Sequence, residues 1–256
     1  MSIEYYASHP CPVRDSVSDE ALLTMEKART RASCVVELMR SHPGTPKDQP
    51  EEEWTFITQV LRPDGPVQVE VKIGDLLAES APLDALARHC AGCVANHRNA
   101  DFGCGGAINY PISAAAEQWL LSRLPDDLKS ARGQLLLQAI ADFDYDGACI
   151  DAARSRKELY ASSTAPVRKW GGFFARKTVI SSSQILHMII PVGHLQPAHA
   201  KMLGFFLGYL DDEFEYRAQP DNLPQPGDDE CTAQFKRFVF AAAHAGVHGV
   251  PVFMDT

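Results

Sequence analysis

The residues best suited to chemistry lie in one short segment, 89–106, which carries three of the seven cysteines in the chain. Cys90 and Cys93 have the C-x2-C spacing with which a tight turn directs two sulfur atoms at one ion. Ten residues separate Cys93 from Cys104, and His97 lies between them. The order C-x2-C-x3-H-x6-C therefore predicts a metal centre whose ligands are Cys90, Cys93, His97 and Cys104.

Zinc is the metal that this ligand set favours, because three thiolates and one imidazole suit a tetrahedral site. The order of the ligands is similar to that of a zinc knuckle, although the spacings differ. An iron–sulfur cluster is the alternative, with Cys149 or Cys231 as the fourth ligand or with one iron open to substrate. A redox disulfide between Cys90 and Cys93, and ordinary buried thiols, are further interpretations.

The role of His97 decides what a zinc site could do. With His97 as the fourth protein ligand the site is closed and structural, whereas without it the fourth position could hold a water and be catalytic. Gly103 and Gly105 flank Cys104, and we expect them to let backbone N–H groups approach its thiolate.

A second candidate is the basic run over residues 168–177, the only one in an acidic chain. Arg168, Lys169 and Trp170 could bind an anionic ligand or cofactor, because aromatic rings stack on bases while cations neutralise phosphates. The alternative is a strand with solvated charges at its ends and a buried aromatic centre.

Two weaker patterns concern metals as well. Residues 142–147 copy the opening of an EF-hand loop, but the twelfth position is Ala153 instead of the required glutamate. The better interpretation of this segment is that one helix ends, an Asp-Gly turn follows, and a new helix begins. His244 and His248 are four residues apart, as in helical metal-binding pairs, although Gly246 between them weakens a helix.

Composition limits the classes of function. The chain has 256 residues and a formal net charge of −9, which disfavours general binding to DNA or to anionic membranes. No apolar stretch approaches the roughly 18 residues of a membrane span, and the first residues lack the pattern of a secretory signal. An odd, unevenly spread set of cysteines indicates thiols and a metal in a cytoplasmic protein rather than a disulfide framework.

The elements that must position these residues follow from periodicity and from capping residues. Residues 1–15 are expected to form an extended arm. The predicted strands are 54–61 and 67–73, joined by a turn at 63–65, a short extended run at 108–112, and a strand or hairpin within 170–180. The predicted helices are 16–40, with Ser16 or Ser18 as its cap, 74–87 with a break at Pro82, one starting at Ser113, 126–143, 147–160, 183–190, 197–210 and 231–244.

These elements predict an α+β fold that is mostly helical, in which a small N-terminal β-hairpin packs with a bundle-like helical C-terminal half. We expect a single domain over 1–256, with possible lobes at 1–112 and 113–256. The function predicted is that of a soluble cytoplasmic metal-binding protein with a binding or scaffolding role. The alternatives are a metal-dependent enzyme acting on a small anionic substrate and, third, a nucleic-acid-binding module.

Overall fold

A computed structural model describes residues 2–45, 48–62, 65–171, 177–190, 194–217 and 219–255. The chain forms two compact units: residues 10–92 make one, and residues 1–9 together with 93–256 make the other. The boundary lies near residue 92, whereas the lobes considered from the sequence divide at residue 112. No described helix combines the length and the apolar character needed to cross a membrane.

The unit of residues 10–92 consists of one long helix, a β-hairpin and two short helices. Its elements are α1 (Asp19–Ser41), β2 (Thr55–Arg62), β3 (Gly65–Lys72), α2 (Ile73–Ser80) and α3 (Pro82–Ala87). Helix α1 begins where the Ser18 hydroxyl accepts a hydrogen bond from the Ala21 N–H, which satisfies one of the unpaired donors of the first turn. Trp54 immediately precedes β2 and Ile73 immediately follows β3, so both lie at the open end of the hairpin. They are buried together with Ala32 of α1.

The larger unit contains a small sheet, a second hairpin and most of the helices. Its strands are β1 (Ser2–Ala7), β4 (Gly105–Asn109), β5 (Val167–Trp170), β6 (Thr178–Ser181) and β7 (Val252–Asp255). Its helices are α4 (Ala114–Ser122), α5 (Ala131–Asp142), α6 (Ala148–Ala153), α7 (Ser182–Ile189), α8 (Pro197–Phe206) and α9 (Glu230–Val247).

Strand β1 is the centre of the three-stranded sheet, with β4 and β7 antiparallel on either side of it. Tyr5 lies opposite Gly106 and Tyr6 opposite Gly105. A Cβ atom at Gly105 would lie 2.3 Å from the Tyr6 ring, and one at Gly106 would lie 2.6 Å from the Tyr5 hydroxyl. The two glycines are therefore needed to make room for two buried tyrosines.

Helix α9 is the core of this unit and packs on both the sheet and α8. The Phe238 ring meets the Tyr5 ring edge to face, with centroids 4.9 Å apart. A Cβ atom at Gly246 would lie 2.4 Å from the backbone nitrogen of Lys201 in α8. Gly246 thus lies inside α9, where it lets the two helices approach each other closely.

A buried ion pair joins α4 to the end of α6. Arg154 and Glu117 are 2% and 0% exposed, and the guanidinium contacts both carboxylate oxygens. Ser182 Oγ donates to Glu117 Oε1 at 2.7 Å, and Arg154 Nε donates to Ser183 Oγ at 3.0 Å. These hydrogen bonds tie the start of α7 to the pair and compensate for burying its charges.

The mostly helical α+β class and the N-terminal hairpin are confirmed. The helix starts at Ser18 and Ser113 and the break at Pro82 are also confirmed. The turn interpretation of residues 142–147 is confirmed as well: α5 ends at Asp142, Gly147 has φ +78°, and Asp146 Oδ1 accepts the Ala148 N–H at 2.8 Å.

Several predicted bounds are wrong. The extended arm contains the central strand β1, and β7 was not predicted. The extended run expected at 108–112 is β4, which begins earlier, at Gly105. Helices α5 and α6 are shorter than predicted, since α5 starts after the Ser130 cap and α6 ends before Arg154 enters the buried ion pair. Pro63 and Asp64 of the predicted turn, and residues 172–176 of the basic run, lie outside the described residues.

Candidate functional site

The four predicted metal ligands do not all lie in one unit. Cys90 is buried near the end of the unit of residues 10–92, in the turns that follow α3. The larger unit holds Cys93, which is partly exposed, His97, and Cys104, which is buried immediately before β4. In the described ranges, no three His, Cys, Asp or Glu side chains are grouped so that they could hold a metal ion. The cysteine-based centre therefore stays a prediction.

Within its own unit, His97 lies beside helix α9. Its ring centroid is 5.1 Å from that of Phe240 and 5.2 Å from that of His244. Burial, with smaller contributions from the neighbouring His244 and Arg98, lowers the pKa of His97 to about 4. The imidazole is consequently neutral at pH 7.

In the basic run, Arg168 forms hydrogen bonds and an ion pair with other groups of the protein. The Arg168 guanidinium donates to the carbonyl oxygens of Leu121 at 3.0 Å and Leu124 at 2.7 Å, and it pairs with Asp126 at 2.5 Å. It also lies over the Trp170 ring, 4.9 Å from the centroid. Arg168 therefore binds carbonyl groups in the last turn of α4 and just after it.

The other two residues of that run are placed differently from each other. Trp170 is partly buried, and its indole N–H donates to the carbonyl oxygen of Pro125 at 3.0 Å. Lys169 is exposed on β5. The ligand-binding role predicted for Arg168, Lys169 and Trp170 stays a prediction, in a segment where two of the three side chains bind the protein's own backbone.

A pocket of about 430 Å³ opens elsewhere in the larger unit, between the sheet, the His97 segment and α9. This volume is within the range of small-molecule sites. One part of the wall is apolar and another is polar and cationic. The lining residues are Tyr5, His97, Arg98, Gly105, Leu223, Pro224, Lys236, Arg237 and Phe240.

Two of the cations of this pocket, Arg98 and Arg237, influence the pKa of the buried Tyr5 hydroxyl. Burial raises the pKa of Tyr5 well above its usual value, while Arg98 and Arg237 both act to lower it. Both guanidiniums are thus close enough to Tyr5 to stabilise negative charge there. Tyr5 lies on β1, Arg98 follows His97 in the cysteine-rich segment, and Arg237 lies on α9, so three separate parts of the sequence build the cationic end.

The three cationic side chains differ in how far they are neutralised. Lys236 is 5% exposed and forms an ion pair with Asp228, with Nζ 2.8 Å from Oδ2. Arg98 and Arg237 are exposed, and no carboxylate in the described part of the chain forms an ion pair with either. Two guanidiniums in this pocket consequently keep their full charge toward a ligand.

Sequence reasoning found His97 but missed the residues around it. Arg98 lies inside the cysteine-rich segment, but no spacing there marks an arginine as a ligand-binding residue. Lys236 and Arg237 are an ordinary basic pair within a helix, and only the packing of α9 against β1 brings Arg237 near Tyr5. No local pattern in the sequence relates these positions.

Three other histidines of the larger unit, at positions 187, 194 and 199, do not line the pocket. His187 and His199 both lie against Tyr145, whose hydroxyl is 2.9 Å from His199 Nε2. His194 lies beside the Phe253 ring, with centroids 4.8 Å apart.

A comparison of the chain with protein-family models, with curated proteins and with solved structures finds no match.

Proposed function

We propose that this protein binds a small anionic molecule, a phosphate monoester or a carboxylate with an apolar body, in the pocket beside Tyr5. The observation that carries this proposal is that Arg98 and Arg237 line one pocket together with Tyr5, while neither forms an ion pair with a carboxylate among the described residues.

The chemistry of the two side chains supports an anion with oxygen acceptors. A guanidinium presents planar N–H donors that match the oxygen atoms of carboxylates and phosphates in pairs. The Tyr5 hydroxyl supplies an additional donor, and it stays protonated at neutral pH because burial raises its pKa. Leu223, Pro224 and Phe240 form an apolar wall that suits the uncharged part of a ligand.

Calorimetric titration with phenyl phosphate and with phenylacetate tests the proposal, with benzyl alcohol as the uncharged analogue. We expect saturable binding of at least one anion, weakened by added salt, and no binding of benzyl alcohol. Arg237→Ala and Arg98→Ala should each weaken binding about 10- to 100-fold, since a hydrogen bond to a charged group contributes about 1.5–3 kcal/mol.

Arg156→Ala is the matched control, because Arg156 is an exposed arginine of the same unit that does not line the pocket. It should bind the anion as the wild-type protein does. Thermal melting of each variant separates loss of binding from loss of folding. Failure of both anions to bind, or equal binding by wild type and Arg237→Ala, would overturn the proposal.

A further inference from the structure

Four histidine rings form a row in the larger unit, beginning at the wall of the pocket. His97 lies 5.2 Å from His244, His244 lies 4.4 Å from His248, and His248 lies 5.5 Å from His9, measured between ring centroids. His244 and His248 lie on successive turns at the end of α9, where His248 is the C-terminal cap residue. The row therefore brings together the cysteine-rich segment, the end of α9 and the residues that follow β1.

The first two rings of the row, at the pocket end, carry nitrogen atoms with no hydrogen-bond partner among the described residues. His97 Nε2 and His244 Nδ1 are both buried, and neither has a hydrogen-bond partner among the described residues. Buried polar atoms in proteins are nearly always satisfied, so this neighbouring pair of nitrogen atoms is a candidate site for a bound ligand. Burial lowers the pKa of His244 to about 4, as it does for His97. Both rings are neutral at pH 7, and each then has a lone pair available to a metal ion.

We propose that His97 and His244 bind one divalent transition-metal ion of the class that prefers imidazole, such as Zn²⁺, Ni²⁺ or Co²⁺. Imidazole nitrogen suits these ions, whereas Mg²⁺ and Ca²⁺ require oxygen ligands. Two imidazoles that share a tetrahedral ion, with metal–nitrogen distances of about 2.0–2.1 Å, have ring centroids about 5 Å apart. The distance of 5.2 Å between His97 and His244 fits this arrangement.

The site has two protein ligands and keeps its other positions for water or for an anion. No group of three metal-binding side chains exists within the described ranges, and this site requires only the pair. His97 also lines the pocket, from which an ion can reach the pair. The site differs from the centre predicted from the sequence, because its second ligand is an α9 histidine and it uses no thiolate. It does not depend on anion binding in the pocket.

Titration of the metal-stripped full-length chain with Co²⁺ at pH 7.5 tests the site by absorption spectroscopy. We expect a visible band from nitrogen and oxygen ligands, and we expect Cys104→Ser to retain it. His97→Gln and His244→Gln should each lose this band. His248→Gln should retain it, and so should His194→Gln, the matched control with a histidine of the same unit outside the row.

Three results would overturn the assignment. The first is an unchanged band in His244→Gln, and the second is loss of the band in Cys104→Ser together with thiolate charge-transfer absorption. The third is loss in His248→Gln but not in His97→Gln, which would place the ion on successive turns of α9 instead. If a variant fails to fold, imidazole ¹⁵N resonances of the wild-type chain on addition of Zn²⁺ supply the same answer. Movement of His97 Nε2 and His244 Nδ1 supports the site, and unmoved resonances exclude it.

Discussion

The imidazole rings of His97 and His244 are neighbours, with centroids 5.2 Å apart, although one follows the C-x2-C pair and the other lies near the end of the last helix. The contact places His97, which was predicted as a zinc ligand, against α9. No pattern in the sequence connects these two segments. It also buries two groups whose protonation is costly, which makes stability depend on pH.

Stability should fall as the pH is lowered from about 7 to about 4. The pKa values of His97 and His244 are about 4 in the folded protein, while an unfolded histidine has a pKa of about 6.5. Between these values the unfolded chain binds more protons, so the stabilisation is present above about pH 6.5 and is lost on acidification. Urea unfolding of metal-free protein across this range measures the slope.

His97→Gln should flatten that slope, because glutamine does not titrate. His194→Gln serves as the control for removing a histidine of the same unit, and its slope should equal that of the wild type. Parallel slopes for wild type and His97→Gln would show that burial of this imidazole does not govern the pH dependence.

Arg168 should matter for folding more than its neighbour Lys169. Arg168→Ala removes the guanidinium that donates to the carbonyl oxygens of Leu121 and Leu124, and we expect a loss of about 1–3 kcal/mol. Lys169→Ala removes an exposed charge on the same strand and should change stability by less than about 0.5 kcal/mol. Urea denaturation compares the two. Unchanged stability in Arg168→Ala, together with weaker binding of phenyl phosphate, would favour the ligand-binding role predicted from the sequence.

The buried pair of Arg154 and Glu117 should be essential to the larger unit. Glu117→Gln leaves a guanidinium that is 2% exposed with only the partly exposed carboxylate of Asp151, 3.4 Å from Nε, as countercharge, and removal of one partner of a buried pair costs about 3–5 kcal/mol. Asp84→Asn, in a surface pair with Arg29 where Asp84 is 83% exposed, should have little effect. Thermal and chemical denaturation measure both changes, and similar small losses would contradict the structural role of the buried pair.

The cysteine-based centre predicted from the sequence requires its own test. We expect about one zinc ion or one iron–sulfur cluster per chain in anaerobically purified protein, lost in Cys90→Ser, Cys93→Ser and Cys104→Ser. Elemental analysis measures the metal, and brown colour distinguishes the cluster from zinc.

His97→Ala and His244→Gln identify the ligands of that metal. Equal loss in His97→Ala and Cys104→Ser, with full retention in His244→Gln, indicates the closed site of three thiolates and one imidazole. Retention in His97→Ala indicates a centre with an open position. Metal-free protein that is as stable as purified wild type would contradict the cysteine-based centre.

Local features of the sequence determined most of the helices. Ser18 and Ser113 mark two helix starts, Pro197 begins α8, and Pro82 separates α2 from α3. Caps, prolines and apolar periodicity act over a few residues, so their effects can be inferred without knowing what the helix packs against. The hairpin of β2 and β3 is similarly local, since its strands are adjacent in the chain.

The central sheet and the pocket were decided only by tertiary structure. Strand β1 pairs with strands near residue 107 and near the C-terminus, and no local pattern specifies partners so distant. Gly105 makes room for Tyr6, a requirement that the residues around Cys104 do not reveal. Arg98, Arg237 and Tyr5 converge because α9 packs on β1 and β4. The sequence by itself determined where most helices and the β2–β3 hairpin begin and end, because caps, prolines and turns act locally. Long-range packing decided which charged and titratable side chains lie next to each other.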